Sequence, residues 1–102
     1  MNNLNGEWKV KVVEGPLWFK CLNILRDKKV IEGDKGYNVI YGKRWGEFEV
    51  MKYEASIFLF YNNTSILDVI KFVDKNKIAG QFYYKLGYIG DFTMIRIKKE
   101  KS

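Results

Sequence analysis

Glu7-Trp8-Lys9-Val10-Lys11-Val12 decides the fold class. On an extended chain Trp8, Val10 and Val12 share one face, and Glu7, Lys9 and Lys11 share the other. Successive side chains of a strand point to opposite faces, so this period of two marks a half-buried strand. Gly15-Pro16 ends it, since proline cannot donate to a ladder.

Alternation of the same kind continues outward from this stretch. A second strand is expected over 18–25, followed by a charged turn at Arg26-Asp27-Lys28-Lys29. Val30-Ile31-Glu32 returns, and Gly33-Asp34-Lys35-Gly36 turns again. A strand over 37–41, continuing toward Trp45, meets a tight connection at Gly46, and the next strand covers 47–53. Ile57-Phe58-Leu59-Phe60-Tyr61 reads equally as a buried strand or a helical turn, because so short an apolar run does not separate the two periods. Asn62-Asn63-Thr64-Ser65 is a loop by composition. Strands are expected over 66–73, 78–84 and 91–98, with turns at 74–77 and, longer, at 85–90.

About eight strands at a spacing of roughly 8–12 residues is the pattern of an all-β sandwich or barrel. Short connections favour sequential antiparallel neighbours, and closure removes the exposed edges. The expected fold is therefore all-β: a single small up-and-down antiparallel β-barrel, one domain over 1–102. The interior of such a barrel either fills with side chains or holds one small ligand.

Composition narrows the function classes. The chain has 18 Lys and Arg against 12 Asp and Glu, a formal charge of +6, and no His. That excess favours anionic partners without naming one. The basic residues are spread along the chain except for the tail Lys98-Lys99-Glu100-Lys101, expected to fray in solvent. Without His, Ser-His-Asp and Cys-His nucleophile arrangements are excluded. The single cysteine cannot build a zinc site or an internal disulfide, and no glycine-rich loop has phosphate-cradling spacing. No metal, no cofactor and no enzymatic activity are expected. The N-terminus lacks a signal-peptide pattern, and no apolar run is long enough for a membrane span, so a cytoplasmic protein is expected.

Individual residues have plain structural readings. Cys21, beside Leu22 in a strand pattern, is expected as a small buried hydrophobe. Glu47 and Glu49 share an outer face. Trp8, Phe82, Tyr84, Phe92 and Met94 fall on inward faces, where they line a ligand cavity or fill the barrel; both readings stand. Lys43-Arg44-Trp45 and the run from Tyr83 to Tyr88 interleave aromatic and basic residues, a pattern of single-strand nucleic-acid binding and equally of cross-strand packing under lysine stems.

Gly6-Glu7-Trp8 resembles the Gly-x-Trp that opens the first strand of lipocalins, fatty-acid-binding proteins and avidin-like proteins, the calycin superfamily. Arg96 resembles the basic residue those families pack across that Trp, which implies a Trp8–Arg96 pair at the barrel floor. The run Leu22 to Tyr37, with Gly33-Asp34, Tyr37 and then Gly42, is similar to the GrlR-like family of small lipocalin-like bacterial regulators. That resemblance implies an apolar interior, a homodimer and action by binding. Where the regulator of that family carries an acidic surface run, this chain reads Lys43-Arg44-Trp45-Gly46-Glu47-Phe48-Glu49.

The leading expectation is a non-catalytic binding protein taking a small apolar or amphipathic ligand in the barrel. The alternatives are a protein-interaction regulator using an apolar surface around Trp18 or Trp45, and, less favoured, a nucleic-acid-binding barrel.

Overall fold

Eight strands follow one another around a closed sheet in which every strand is antiparallel to its sequence neighbour and the last pairs with the first. The computed structural model describes residues 3–62 and 64–97; Asn63 and the basic tail from Lys98 lie outside the described residues. The strands are β1 (Gly6–Glu14), β2 (Arg26–Glu32), β3 (Lys35–Ile40), β4 (Lys43–Tyr53), β5 (Ser56–Tyr61), β6 (Ile66–Asp74), β7 (Lys77–Tyr84) and β8 (Gly87–Arg96). Closure runs from Trp8 opposite Arg96 to Val12 opposite Phe92. Closing the sheet pairs the edge groups that an open sheet would present to other chains. Among the described residues, no helix is long and apolar enough to cross a membrane.

Alternation sends Trp8, Val10 and Val12 inward from β1, Ile78 and Phe82 from β7, and Phe92 and Met94 from β8. Leu59 and Ile70 complete the core from β5 and β6. Ile57-Phe58-Leu59-Phe60-Tyr61 is thus resolved as strand, which the register against β4 requires.

The first third departs from the expected pattern. Residues 18–25 are two helical turns, α1 (Leu17–Lys20) and α2 (Leu22–Leu25), and not a strand. β1 ends at Glu14, and Pro16 is the extended N-cap of α1 at φ −66°, its carbonyl accepting from Phe19 N and Lys20 N at 3.1 Å. Cys21, expected buried, is exposed between the two turns. Arg26-Asp27-Lys28-Lys29 is not a turn but the first half of β2. Gly46 connects nothing: it sits inside β4 at φ +61°, carrying the register shift between β3 and β4. The long turn at 85–90 shrinks to Lys85-Leu86, because Tyr84 already pairs with Gly87.

The α1–α2 segment closes one end of the barrel. Phe19 is buried, its ring 4.6 Å from that of Phe82. Asn23 fastens the segment to β1: its Oδ1 accepts from Val12 N at 2.6 Å and its Nδ2 donates to Val12 O at 3.1 Å. The side chain thereby pairs β1 backbone groups as a further strand would. At the opposite end, the Arg96 guanidinium lies 4.3 Å from the Trp8 ring. It donates to the carbonyls of Asn3, Asn5 and Lys75 and to Asn76 Oδ1, tying the N-terminal segment to the β6–β7 turn.

Candidate functional site

The apolar interior is interrupted by one polar constellation, in the half of the barrel nearer the α1–α2 plug. Lys29 and Asn38 face inward as register partners of β2 and β3, Tyr61 comes from the end of β5, and Asp68 from β6. All four are buried, as is Arg26 at the start of β2. Strict alternation from Lys29 would turn Arg26 outward. The register shift between Arg26 and Lys28 breaks the alternation, as bulges do when they re-aim a side chain.

The Lys29 ammonium donates to the Tyr61 hydroxyl, which donates to Asp68 Oδ2 at 2.9 Å. Lys29 Nζ is also 3.6 Å from Asp68 Oδ2. It lies 4.6 Å from the Phe48 ring and 4.9 Å from that of Tyr61, so its charge meets aromatic faces as well as the carboxylate. Asn38 Nδ2 donates to Gly46 O at 3.2 Å and lies 3.5 Å from the Tyr61 hydroxyl. The carbonyl that receives Asn38 therefore belongs to the glycine of the β4 bulge.

Burial dominates the electrostatics. It lowers the Lys29 pKa to about 7, opposed by Asp68 and reinforced by Arg26. It raises the Asp68 carboxyl, a shift that Lys29, Tyr61 and Arg26 all counter. Burial, and then the Asp68 charge, hold Tyr61 well above the ordinary phenol value. Arg26 is thus close enough to bear on all three groups. Two cations face one carboxylate here, leaving an excess of one positive charge whenever Lys29 is protonated.

Three polar atoms of this constellation have no hydrogen-bond partner among the described residues: Arg26 Nε, Asp68 Oδ1 and Asn38 Oδ1. A buried polar group left unpaired costs about 1–3 kcal/mol, and more when it is charged. Three in one region, one donor and two acceptors, make a place where a polar group would be held from several sides. The neutral Lys29 amine is in principle a nucleophile, but its complete burial keeps bulk reagents from it. The arrangement in hand can bind and orient a polar group. Among the described residues, no group of three His, Cys, Asp or Glu could hold a metal ion.

Of the residues singled out in the sequence, Trp8, Phe82, Phe92 and Met94 are buried among the barrel side chains. Tyr84 is not: it is exposed near the end of β7, correcting the inward placement expected for it. Trp8 and Arg96 are brought together at the floor. Trp18 is exposed on the plug, its ring 6.4 Å from that of Phe82, and Trp45 is exposed on the wall of β4. Glu47 and Glu49 are exposed on β4. They border a hollow of about 440 Å³ on the outer wall, whose lining mixes them with Glu32, Lys35 and Arg44. Opposite charges alternate there, so that hollow favours no one ligand charge.

The polar constellation itself was missed in the sequence. One signal was present: Asp68 occupies the face of β6 that also carries Ile66, Ile70 and Phe72, where a carboxylate must be buried with a partner.

In comparison with known proteins, no family model matches the sequence, and neither a curated protein nor a solved structure matches the chain.

Proposed function

We propose that this chain is a non-catalytic binding protein of lipocalin-like kind, taking a small amphipathic ligand with a single anionic head at the plug end of the barrel. The observation that carries the reading is the buried Arg26, whose Nε has no hydrogen-bond partner among the described residues. A carboxylate would accept from Arg26 and cancel the excess charge that Arg26 and Lys29 hold over Asp68. Charge-assisted pairs of this kind are the stronger hydrogen bonds.

The apolar part of the ligand has a surface to meet. The Phe19 and Phe82 rings meet at a tilt at the plug, and Phe48 lies against Lys29. A ligand tail entering there takes the place of the Phe19 ring, so binding displaces the α1–α2 segment, whose fastening to β1 is the Asn23 side chain. The basic balance of the chain, +6, favours approach of an anion.

The test is isothermal titration with decanoate against decanol, on wild type and on Arg26→Gln. Saturable decanoate binding is expected, roughly tenfold weaker for decanol and for the variant, as loss of one charge-assisted contact implies. Absence of saturable decanoate binding, or equal affinity in Arg26→Gln, would overturn the head-group site.

A further inference from the structure

Up-and-down topology gathers alternate connections at one end, so the described residues of the connections 15–25, 41–42, 62 with 64–65, and 85–86 all lie at the plug end. Three of the four present apolar side chains, the 62–65 connection being polar. Leu86 is 91% exposed, Ile24 82% and Leu17 79%, with Tyr41 and Trp18 also exposed. Turn tips ordinarily carry Gly, Asn, Asp or Ser, so bulky apolar residues at this many separate tips call for a cause.

The backbone sharpens the point. Lys85 and Leu86 both have positive φ, 50° and 66°, between the closing pair Tyr84 and Gly87. Tyr41 and Gly42 do the same, at 50° and 74°, between Ile40 and Lys43. Two-residue hairpin turns of this type favour Asn-Gly. A leucine at the second position is strained, and the side chain it displays packs into nothing: it points to solvent. Folding gains nothing from Leu86 there, which leaves something outside the chain as its contact.

Charge identifies that contact. The four connections carry Lys20 and Lys85 and no acidic residue, and Lys43-Arg44 follows the β3–β4 turn directly. Two acidic residues flank the first of these connections, Glu14 at the end of β1 and Asp27 near the start of β2, against the four cations Lys20, Lys43, Arg44 and Lys85. The opposite end mixes the signs, with Asp34, Glu54 and Lys75 in its turns and Asp74 closing β6. Leu, Ile, Trp and Tyr tips interleaved with lysine suit the headgroup layer of an anionic bilayer, where apolar tips enter the acyl boundary and lysines meet phosphates. Protein interfaces, by contrast, are depleted in lysine.

We propose that the plug end docks the barrel on anionic phospholipid membranes, with Leu86, Ile24, Leu17 and Trp18 entering the interface and Lys20, Lys43 and Lys85 contacting headgroups. This goes beyond the interior ligand site and does not depend on it.

The experiment is co-sedimentation with phosphatidylcholine vesicles, with and without about a third phosphatidylglycerol, at low and high salt. A Trp45→Phe background leaves Trp18 as the exposed fluorescent reporter. Binding only to the anionic vesicles is expected, with a blue shift of Trp18 emission and reversal by salt. Leu86→Asn should weaken it roughly tenfold, by loss of one leucine from the interface. The same variant should melt no lower than wild type, since Asn tolerates positive φ. Arg26→Gln should bind vesicles as wild type does, which separates this surface from the interior site. No sedimentation with anionic vesicles at low salt would overturn the proposal. So would vesicle binding unaffected by Leu86→Asn, or a dimer that Leu86→Asn dissociates while vesicles go unbound.

Discussion

Lys29 and Asp68 face each other inside the barrel, 3.6 Å from Nζ to Oδ2, with the Tyr61 hydroxyl bonded to both. The pairing is enclosed: neither side chain has meaningful contact with solvent. Removing one partner of such a pair is strongly destabilising, because the other charge stays buried alone.

The pair makes stability depend on pH in a defined direction. Lys29 has a folded pKa of about 7 against an ordinary value of 10.5. Between those values the unfolded chain holds a proton that the folded chain has released, so stability rises with pH across that window. Asp68 has the opposite sign in a lower window. Its folded pKa is raised, so just above 3.8 the folded chain holds the extra proton and stability falls as pH rises. Urea unfolding at pH 7 and pH 9 should therefore show a gain of about 1–2 kcal/mol at the higher pH. Lys29→Met should abolish that slope. A wild-type stability that is flat or falling from pH 7 to pH 9 would contradict the assignment.

Arg96 gives a second expectation, at the floor. Its guanidinium spans the Trp8 ring and reaches three backbone carbonyls, and Trp8 Nε1 donates to Leu4 O at 2.9 Å. Lysine cannot reproduce that fork. Arg96→Lys should cost about 2–3 kcal/mol through the lost charge-assisted bonds. The Trp8 indole N–H should also exchange with solvent faster, since the N-terminal segment that accepts from it loses its anchor. Hydrogen exchange of that one resonance, set beside a melting curve, distinguishes loosening of the floor from global destabilisation.

Legibility divides along the same physical lines. The closed antiparallel barrel could be read because Trp8 to Val12, Ile78 to Phe82 and Phe92 to Arg96 alternate and the turns joining β6, β7 and β8 are short. The 18–25 segment could not. Trp18, Cys21, Leu22 and Leu25 offer an apolar run too short to fix a period, and Pro16 is as good a helix start as a strand stop. Arg26-Asp27-Lys28-Lys29 misled for a different reason. Four successive charges read as solvent-exposed, yet Lys29 is buried by a partner 39 positions along the chain, which no local pattern reports. The interior site failed to show itself because it is assembled by tertiary pairing from β2, β3, β5 and β6. Its one local trace was a carboxylate on the apolar face of β6.

The packing between Gly80 and Phe92 is the most exposed to a single change. The two are register partners on β7 and β8, and a β-carbon on Gly80 would drive into the Phe92 ring. Gly36 stands in the same relation to Phe48 across β3 and β4, so the barrel twice trades a side chain for room to lay an aromatic ring inward. The ring cannot swing away, because Phe92 is buried in the same core as Val12 and Met94. Gly80→Ala should therefore destabilise by about 1–3 kcal/mol through overpacking, despite replacing a residue that strands disfavour. Phe92→Leu should also destabilise, by leaving space. The double variant should recover part of the loss, because the smaller side chain yields to the new methyl group, and a double-mutant cycle would report this as favourable coupling. Additive losses would mean that the ring and the glycine do not constrain each other, and that the close approach is not what holds this position to glycine.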